Sequence, residues 1–567
     1  MNRIAFFPAL LLCLASAASS VEYPTALDRA GFSPSQWRVL LAWQESTRAG
    51  TILIGYHLQS TTGGGTEDLY LDSGNGLITE TALQELDVPP KHWNAPPVTV
   101  APRIVPGFPR AKAANRPIPW LALPAEQRLE TVLAAPTEET PPKSANEDPA
   151  AKGLIRYGSV MNLQIPLSVQ GEAAAFGEWH DLPYGRRAWS ATLRVLDAVG
   201  LRLHFAALSL PAGAELVAYS PDAADAVETV AASASGWGPS CFNEAVTLEC
   251  RLPAGVTAET VTVSVDRVGW MFKLPFEKNT SVGSCNINVA CRADWLTVAM
   301  AVGRLSKANS DGLWACTGAL VTDTVPDSEV PYFLTANHCV SSQAEADTVE
   351  VYWLYQSDTC DAAPPAMNTV PHTTGGADYL AGATNANGTD FAFLRLRNNP
   401  PAGLTQAGYS TDPAAVDTAV TAIHHPQGQA KRVSFGTITD TGSPSNGQRL
   451  KPIERFHEVH WQEGSTEPGS SGAPLFLAAN PLIVGQLYGG YASCGTMTEP
   501  DYFGRFDVTY PIIQKWLSPA ASPGAGNGGK PNGCRWCKTA DPANAATVAA
   551  MVGALMLAGM LGRVPRP

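Results

Sequence analysis

Glu467-Pro468-Gly469-Ser470-Ser471-Gly472-Ala473-Pro474 sets a serine between two glycines with a proline just behind, a pattern that turns the chain sharply and presents Ser471 at its bend. A serine hydroxyl is nearly inert at neutral pH. To act as a nucleophile it needs a histidine base, a carboxylate that orients the base, and backbone N–H groups aimed at the developing oxyanion. Two other stretches supply these groups. Leu334-Thr335-Ala336-Asn337-His338-Cys339 ends a hydrophobic strand in a histidine beside a cysteine, and Gly388-Thr389-Asp390-Phe391-Ala392-Phe393-Leu394 opens an alternating strand with an aspartate. Each motif alone is weak, since glycine-flanked serines, lone histidines and strand-leading aspartates are all commonly structural. Together, with the three residues about 50 and about 80 positions apart, they point to nucleophilic catalysis.

The order His338, Asp390, Ser471 is that of chymotrypsin rather than of subtilisin or the α/β-hydrolases. Residues from about Ser284 to Leu517 resemble a chymotrypsin-fold serine protease, and most closely the bacterial lysyl endopeptidases. The resemblance rests on Cys316-Thr317-Gly318, Phe333 to Cys339, Ala422-Ile423-His424-His425-Pro426, Thr466 to Pro474, and Gly485-Gln486-Leu487-Tyr488-Gly489-Gly490. It implies an all-β, chymotrypsin-like double β-barrel in which Ser471 attacks the scissile carbonyl, His338 takes its proton and Asp390 holds the imidazole. The oxyanion would lie on the backbone N–H groups of Gly469 and Ser471, glycine letting the backbone turn its amide inward. Asp378 is the rival acid. Asp390 is preferred because Phe391, Phe393 and Leu394 would bury its strand, whereas His372, His424 and His425 lack the Thr-Ala-x-His-Cys context and read as structural.

For specificity, the trypsin selector six positions before the serine is absent, since Ser465 stands there. The resemblance instead implies an acid after the last pocket strand, and Asp501-Tyr502-Phe503-Gly504-Arg505 provides Asp501 for a Lys or Arg side chain. Tyr488 and Gly489 would line that pocket. Tyr488 replaces the family's histidine, and no counterpart of its stacking tryptophan stands out, so lysine, arginine or both remain open.

The chain of 567 residues exceeds the usual span of one core. A hydrophobic content of 45% excludes general disorder, and a formal charge of −13 argues against nucleic acid as a partner. Protein or peptide substrates are the expected partners, without cofactor or metal. Residues 1–20 read as a secretory signal peptide with an apolar core too short to span a bilayer. Residues 21–88 form an N-terminal pro-region of unknown function with one predicted helix over Ser33 to Ser46, and 89–151 a Pro-rich linker whose prolines oppose strand ladders. Residues 152–278 show short alternating runs and read as a β-sandwich-like propeptide module. The protease domain follows over 279–518, then a Gly/Pro-rich linker over 519–544 with Cys534-x-x-Cys537. The segment 545–567 has an apolar core from Ala545 to Gly562 and ends in arginines, which reads as a transmembrane or sorting segment giving transient membrane anchoring. Bacterial-type export to the surface or medium follows.

Leaving aside Cys13, ten cysteines remain, an even number that suits an oxidising compartment. Cys241 and Cys250 flank an alternating segment and are expected to bridge. By resemblance, the other pairs are Cys285–Cys494, Cys291–Cys360 and Cys316–Cys339. Ser470 carries no charge, so a newly freed N-terminus has no anion to pair with before the nucleophile. Activation then requires removal of a blocking pro-region, and Lys278 in Pro275-Phe276-Glu277-Lys278-Asn279 is the expected processing site. The alternative functional reading is a catalytically silent, surface-displayed binding protein on a protease fold; an esterase is disfavoured by the chain order.

Overall fold

A computed structural model describes residues 27, 32–33, 35–47, 51–61, 66–72, 77–78, 97–104, 118–121, 123–134, 153–221, 223–230, 236–272, 282–442 and 455–519. The expected leader, Lys278, the Cys534-x-x-Cys537 motif and the apolar segment 545–562 lie outside these residues. Among the described residues, no helix is long and apolar enough to cross a membrane.

The strands of the catalytic region form two barrels. In the first, Val302–Ala308, Leu313–Val321, Tyr332–Ala336, Phe391–Leu396 and Ala377–Ala383 run antiparallel in that spatial order. In the second, Pro474–Leu477, Ala419–His424, Arg432–Gly442, Phe456–Glu463, Asp501–Arg505 and Leu482–Gly490 close into a ring, because the first and last of them also pair. Closure leaves those strands no open edge. A core shared by both barrels, including Leu334, Phe391 and Phe393 on one side and Ile423, Val433 and Phe476 on the other, locks them together. The C-terminal helix Phe506–Leu517 contributes Phe506, Tyr510, Ile512 and Ile513 to the same core.

Ahead of the barrels stands a sandwich, built from alternating runs as expected. One layer contains Trp237–Cys241, Gly200–Ser209, Thr262–Met271 and Ile155–Gln170; the other contains Ala223–Thr229, Glu215–Ser220, Ala245–Leu252 and Arg186–Val195. Trp189, Leu193, Leu203, Leu216, Leu248 and Val263 fill the space between them. The expected Cys241–Cys250 bridge is not formed: both are buried free thiols. Cys241 lies opposite Leu201 in one layer and Cys250 opposite Trp189 and Leu216 in the other. Each is packed among its own apolar neighbours in the core between the layers, and the two sulfurs are not joined. Burial pushes the Cys250 thiol up to about 12.

The helix expected over Ser33 to Ser46 is instead the strand Trp37–Ser46, which pairs with Ile52–Ser60 and joins the first barrel through Gln44 opposite Gly382 and Glu45 opposite Ala381. Leu41 and Trp43 enter the shared core while Ala42 packs the other way with Tyr56 and Leu58. A strand buried on both faces reads as a continuous apolar run, which periodicity does not separate from a helix. The Pro-rich stretch also supplies ladders that its prolines seemed to forbid. Thr99–Val100 pairs beside Tyr409, Arg103–Ile104 beside Gln406, and Glu130–Leu133 runs parallel to Thr192–Val195. These strands of two to four residues fit between prolines and sit at sheet edges, where a missing donor is tolerated.

Sandwich and barrel share one sheet. The strand Ile155–Gln170 leaves the sandwich and pairs with Leu313–Val321 of the first barrel. Behind this seam Arg202 donates to the Thr348 carbonyl at 2.9 Å and stands 3.6 Å from the buried Glu350, which also takes bonds from Ser240 and Tyr352.

Candidate active site

The strand Tyr332–Ala336 ends where His338 emerges, and the Cys316–Cys339 disulfide ties that end to the neighbouring strand. Asp390 precedes the buried strand Phe391–Leu396 and is itself 2% exposed, with a left-handed φ of 54° that short polar side chains tolerate. Its backbone carbonyl accepts from Asn337 N–H at 2.9 Å, its Oδ1 from His338 N–H at 3.2 Å, and its Oδ2 stands 2.6 Å from His338 Nδ1. A carboxylate only accepts, so Nδ1 carries a proton, and in the neutral imidazole the lone pair is on Nε2. Nε2 is buried without a hydrogen-bond partner, while Tyr488 presses edge-on against the ring at 6.0 Å.

Ser471 lies in the loop joining the barrels' interface to Pro474–Leu477, with its carbonyl held by Thr317 N–H at 2.9 Å. Its Oγ donates to the carbonyl of Gly153 at 3.3 Å rather than to His338. Gly469 N–H donates to the same oxygen at 3.1 Å. The expected nucleophile and one of the two expected oxyanion donors therefore converge on one carbonyl oxygen, supplied by the residue two positions before the sandwich strand Ile155–Gln170.

A buried hydrogen-bond relay, invisible in the sequence, braces this loop. Ser434 Oγ donates to the Ser465 carbonyl at 2.9 Å, and so accepts from His424 Nε2 at 3.1 Å. The imidazole Nδ1 is then an acceptor, 2.8 Å from Ser470 Oγ, which in turn takes Glu467 N–H at 3.1 Å. The side chain of Glu467 reaches Gly283 N–H at 2.7 Å and Asn286 Nδ2 at 2.6 Å, beside the Cys285–Cys494 disulfide. The Cys291–Cys360 bridge is formed as well.

Asp501 is fully buried. Its Oδ2 accepts from Trp461 Nε1 and Thr466 Oγ1, each at 2.7 Å, and a Cβ placed on Gly490 would meet its Oδ1 at 2.3 Å. Only glycine fits that close to the carboxylate. Thr466 and Gly490 stand in motifs that carried the resemblance but had no role assigned to them, and nothing local marks Trp461 as a partner of a residue 40 positions away. Ser465 is buried with its Oγ turned to the Thr466 carbonyl at 3.4 Å, and Gly489 pairs with Tyr502. Tyr488 accepts from Asn385 at 3.0 Å. The rival acid Asp378 is occupied elsewhere: burial opposes its ionisation, but bonds from Arg395 and Arg397 outweigh it and hold its pKa low. His372 lies 3.5 Å from Glu228, and His425 is buried against the Gln429 carbonyl at 2.8 Å.

The two barrels and the constellation at their seam define a protein of the chymotrypsin-fold serine-protease class. Within that class the chain is similar to the lysyl endopeptidases in both of their parts. Residues 279–504 match the family described as lysyl endopeptidase, C-terminal domain, and residues 160–272 the lysyl endopeptidase N-terminal domain. The chain is 28% identical over 372 residues to a lysyl endopeptidase of Pseudomonas aeruginosa, covering 60% of this chain and 78% of that protein. It is 25% identical over 194 residues to the secreted RxLR effector protein 73 of Plasmopara viticola, covering 32% and 43%. Among solved structures, an HtrA-type protease, AlgW, with a tripeptide gives a TM-score of 0.28 at 19% identity over 40% of this chain and 62% of that chain. A protease of M. tuberculosis in its active form gives 0.27 at 15% identity, covering 40% and 83%.

Proposed function

We propose that this chain is an exported serine endopeptidase, made as an inhibited precursor, that hydrolyses peptide bonds after Lys and/or Arg through an acyl-enzyme. The observation that carries the reading is the convergence of Ser471 Oγ and Gly469 N–H on a single carbonyl oxygen beside a histidine whose Nδ1 is held by Asp390. In its neutral form His338 takes the Ser471 proton on Nε2 as Oγ attacks the substrate carbonyl, and later returns it to the leaving amine. Asp390 keeps the tautomer and stabilises the imidazolium. Negative charge on the former carbonyl oxygen falls to the loop amides, where losing one donor typically costs about 3 kcal/mol of transition-state stabilisation.

Asp501, a buried carboxylate, supports selection of a basic side chain. Trp461 and Thr466 hold one carboxylate oxygen, and glycine at 490 lets the backbone pass close beside the other. The three disulfides and the leader-like residues 1–20 support export to an oxidising compartment. Gly153 supports the precursor reading, because a carbonyl already seated on the serine excludes a substrate carbonyl from the same place. Cleavage after Lys278 would free the sandwich to leave.

Labelling with a fluorophosphonate tests the function. The processed protein should react at Ser471, and Ser471→Ala should abolish labelling. A processed, folded protein that neither labels nor cleaves would favour the silent binding protein instead.

A further inference from the structure

The backbone that places Gly153 on Ser471 does not end there. It continues through Leu154, Ile155 and Arg156 along an edge of the first barrel, with Ile155 opposite Ala315 and Arg156 opposite Trp314 in an antiparallel ladder. Ala315 directly precedes Cys316, whose bridge to Cys339 anchors the His338 turn. If the Gly153 carbonyl stands where a scissile carbonyl would, Leu154, Ile155 and Arg156 follow it as the first, second and third residues of the leaving half of a substrate.

We infer that Trp314 with the Asp311 carbonyl, on the sheet edge that the leaving half of a substrate would follow, forms a subsite for a basic side chain three residues beyond the cut. The inference rests on the endopeptidase reading above. Backbone pairing at a sheet edge recognises any extended peptide, and side-chain pockets along it supply the selectivity. The occupant shows what this pocket accepts. The Arg156 guanidinium stands 6.0 Å from the centre of the Trp314 ring, a distance at which a cation is attracted by the ring face. Its NH2 group donates to the Asp311 carbonyl at 2.8 Å and to Ser159 Oγ at 2.8 Å.

The subsite is built before its occupant arrives. Asn309 Oδ1 accepts from Trp314 Nε1 at 3.0 Å, from Asp311 N–H at 3.0 Å and from Gly312 N–H at 3.1 Å, while Asn309 N–H donates to the Gly312 carbonyl at 3.1 Å. One side-chain oxygen thus fixes both the ring and the turn that presents the Asp311 carbonyl. All of these contacts lie within the barrel's own hairpin, so departure of the sandwich uncovers the pocket without dismantling it. The same geometry separates inhibitor from substrate. Gly153 has no side chain to send to Asp501, so the segment fills the leaving side while the selectivity pocket gains nothing from it.

The test uses the processed enzyme. Three substrates are compared: a lysyl aminocoumarin amide with nothing peptidic beyond the cut, and quenched peptides Ala-Ala-Lys-Leu-Ile-Arg-Ala and Ala-Ala-Lys-Leu-Ile-Glu-Ala, with cleavage at the Lys-Leu bond read by mass spectrometry. We expect kcat/KM at least fivefold higher for the arginine peptide than for the glutamate peptide. Trp314→Ala should bring that ratio within twofold of unity, and Trp314→Phe should keep most of it. A wild-type ratio within twofold of unity, with the amide hydrolysed, overturns the subsite and leaves the function standing. Failure to hydrolyse the amide and both peptides overturns the function, and the subsite with it. Should Trp314→Ala not fold, the wild-type ratio decides alone.

Discussion

Ser471 Oγ and the Gly153 carbonyl oxygen, 318 residues apart in the chain, stand 3.3 Å apart as donor and acceptor. The Ser471 hydroxyl is thereby bonded to Gly153 rather than to His338, and the neighbouring Gly469 N–H is occupied by the same oxygen. Gly153 sits at φ 71°, which valine adopts only under strain. In an uncut Lys278→Gln background, Gly153→Val should therefore dislodge the carbonyl and raise the rate of fluorophosphonate labelling by tenfold or more. An unchanged rate would mean that the contact does not restrain the serine.

Asp390 accepts from both the ring and the backbone N–H of His338, so replacing it by asparagine offers an amide donor where two acceptors are needed. Asp390→Asn, matured in trans by wild-type enzyme, should lose about four orders of magnitude in kcat while its thermal midpoint stays close to wild type. Turnover within tenfold of wild type would remove Asp390 from the mechanism.

Asp501 is buried between two donors, and a base entering the pocket would meet a desolvated carboxylate. Asp501→Ser should depress cleavage after Lys and Arg by at least a hundredfold on a peptide library, with small apolar sites less affected. An unaltered profile would place the selecting charge elsewhere.

The relay through His424 and Ser470 braces the loop bearing Gly469 through hydrogen bonds. Ser470→Ala leaves His424 Nδ1 and Glu467 N–H without the hydroxyl that joins them, a loss of about 1–3 kcal/mol. Steady-state kinetics should show kcat reduced about tenfold at nearly constant KM, with Ser470→Thr largely restoring it. Equal effects on kcat and KM, or none, would contradict a role in holding the oxyanion donors.

His457, buried in the second barrel, is held to a pKa of about 4, by burial first and by the Arg505 charge next, with Asp507 opposing. Between the ordinary value near 6.5 and about 4 the unfolded chain takes up a proton that the folded chain refuses. Its contribution is therefore complete above pH 6.5 and is lost as pH falls through that window, by about 3 kcal/mol in all. Urea denaturation of the processed enzyme at pH 7 and pH 4.5 should show this loss, and His457→Gln should flatten it. Identical pH dependence in the variant would refute the assignment.

Much of the architecture was legible because the runs alternate in sequence: 190–195, 201–205 and 215–219 lie within observed strands, and 261–265 does so from Thr262 onward. The three residues His338, Asp390 and Ser471 were legible for a different reason. Each sits in a short motif whose turn chemistry is local, and His338 is bridged through an adjacent cysteine. Where burial comes from both faces, as at Trp37–Ser46, the period disappears and only the neighbouring strands decide between helix and sheet. The same limit separates Cys241 from Cys250, nine residues apart in the chain yet in opposite layers.

The sequence by itself determined which side chains are available for chemistry and the order in which they arrive, because those depend on residue type and short-range spacing. Tertiary structure alone decided that Trp461 and Thr466 hold Asp501, that His424 braces Ser470, and that Gly153 reaches Ser471. Each of these pairs two groups across tens to hundreds of residues. Hydrogen bonds act over about 3 Å of space, and no local pattern in the chain records which distant segments folding will bring within that reach.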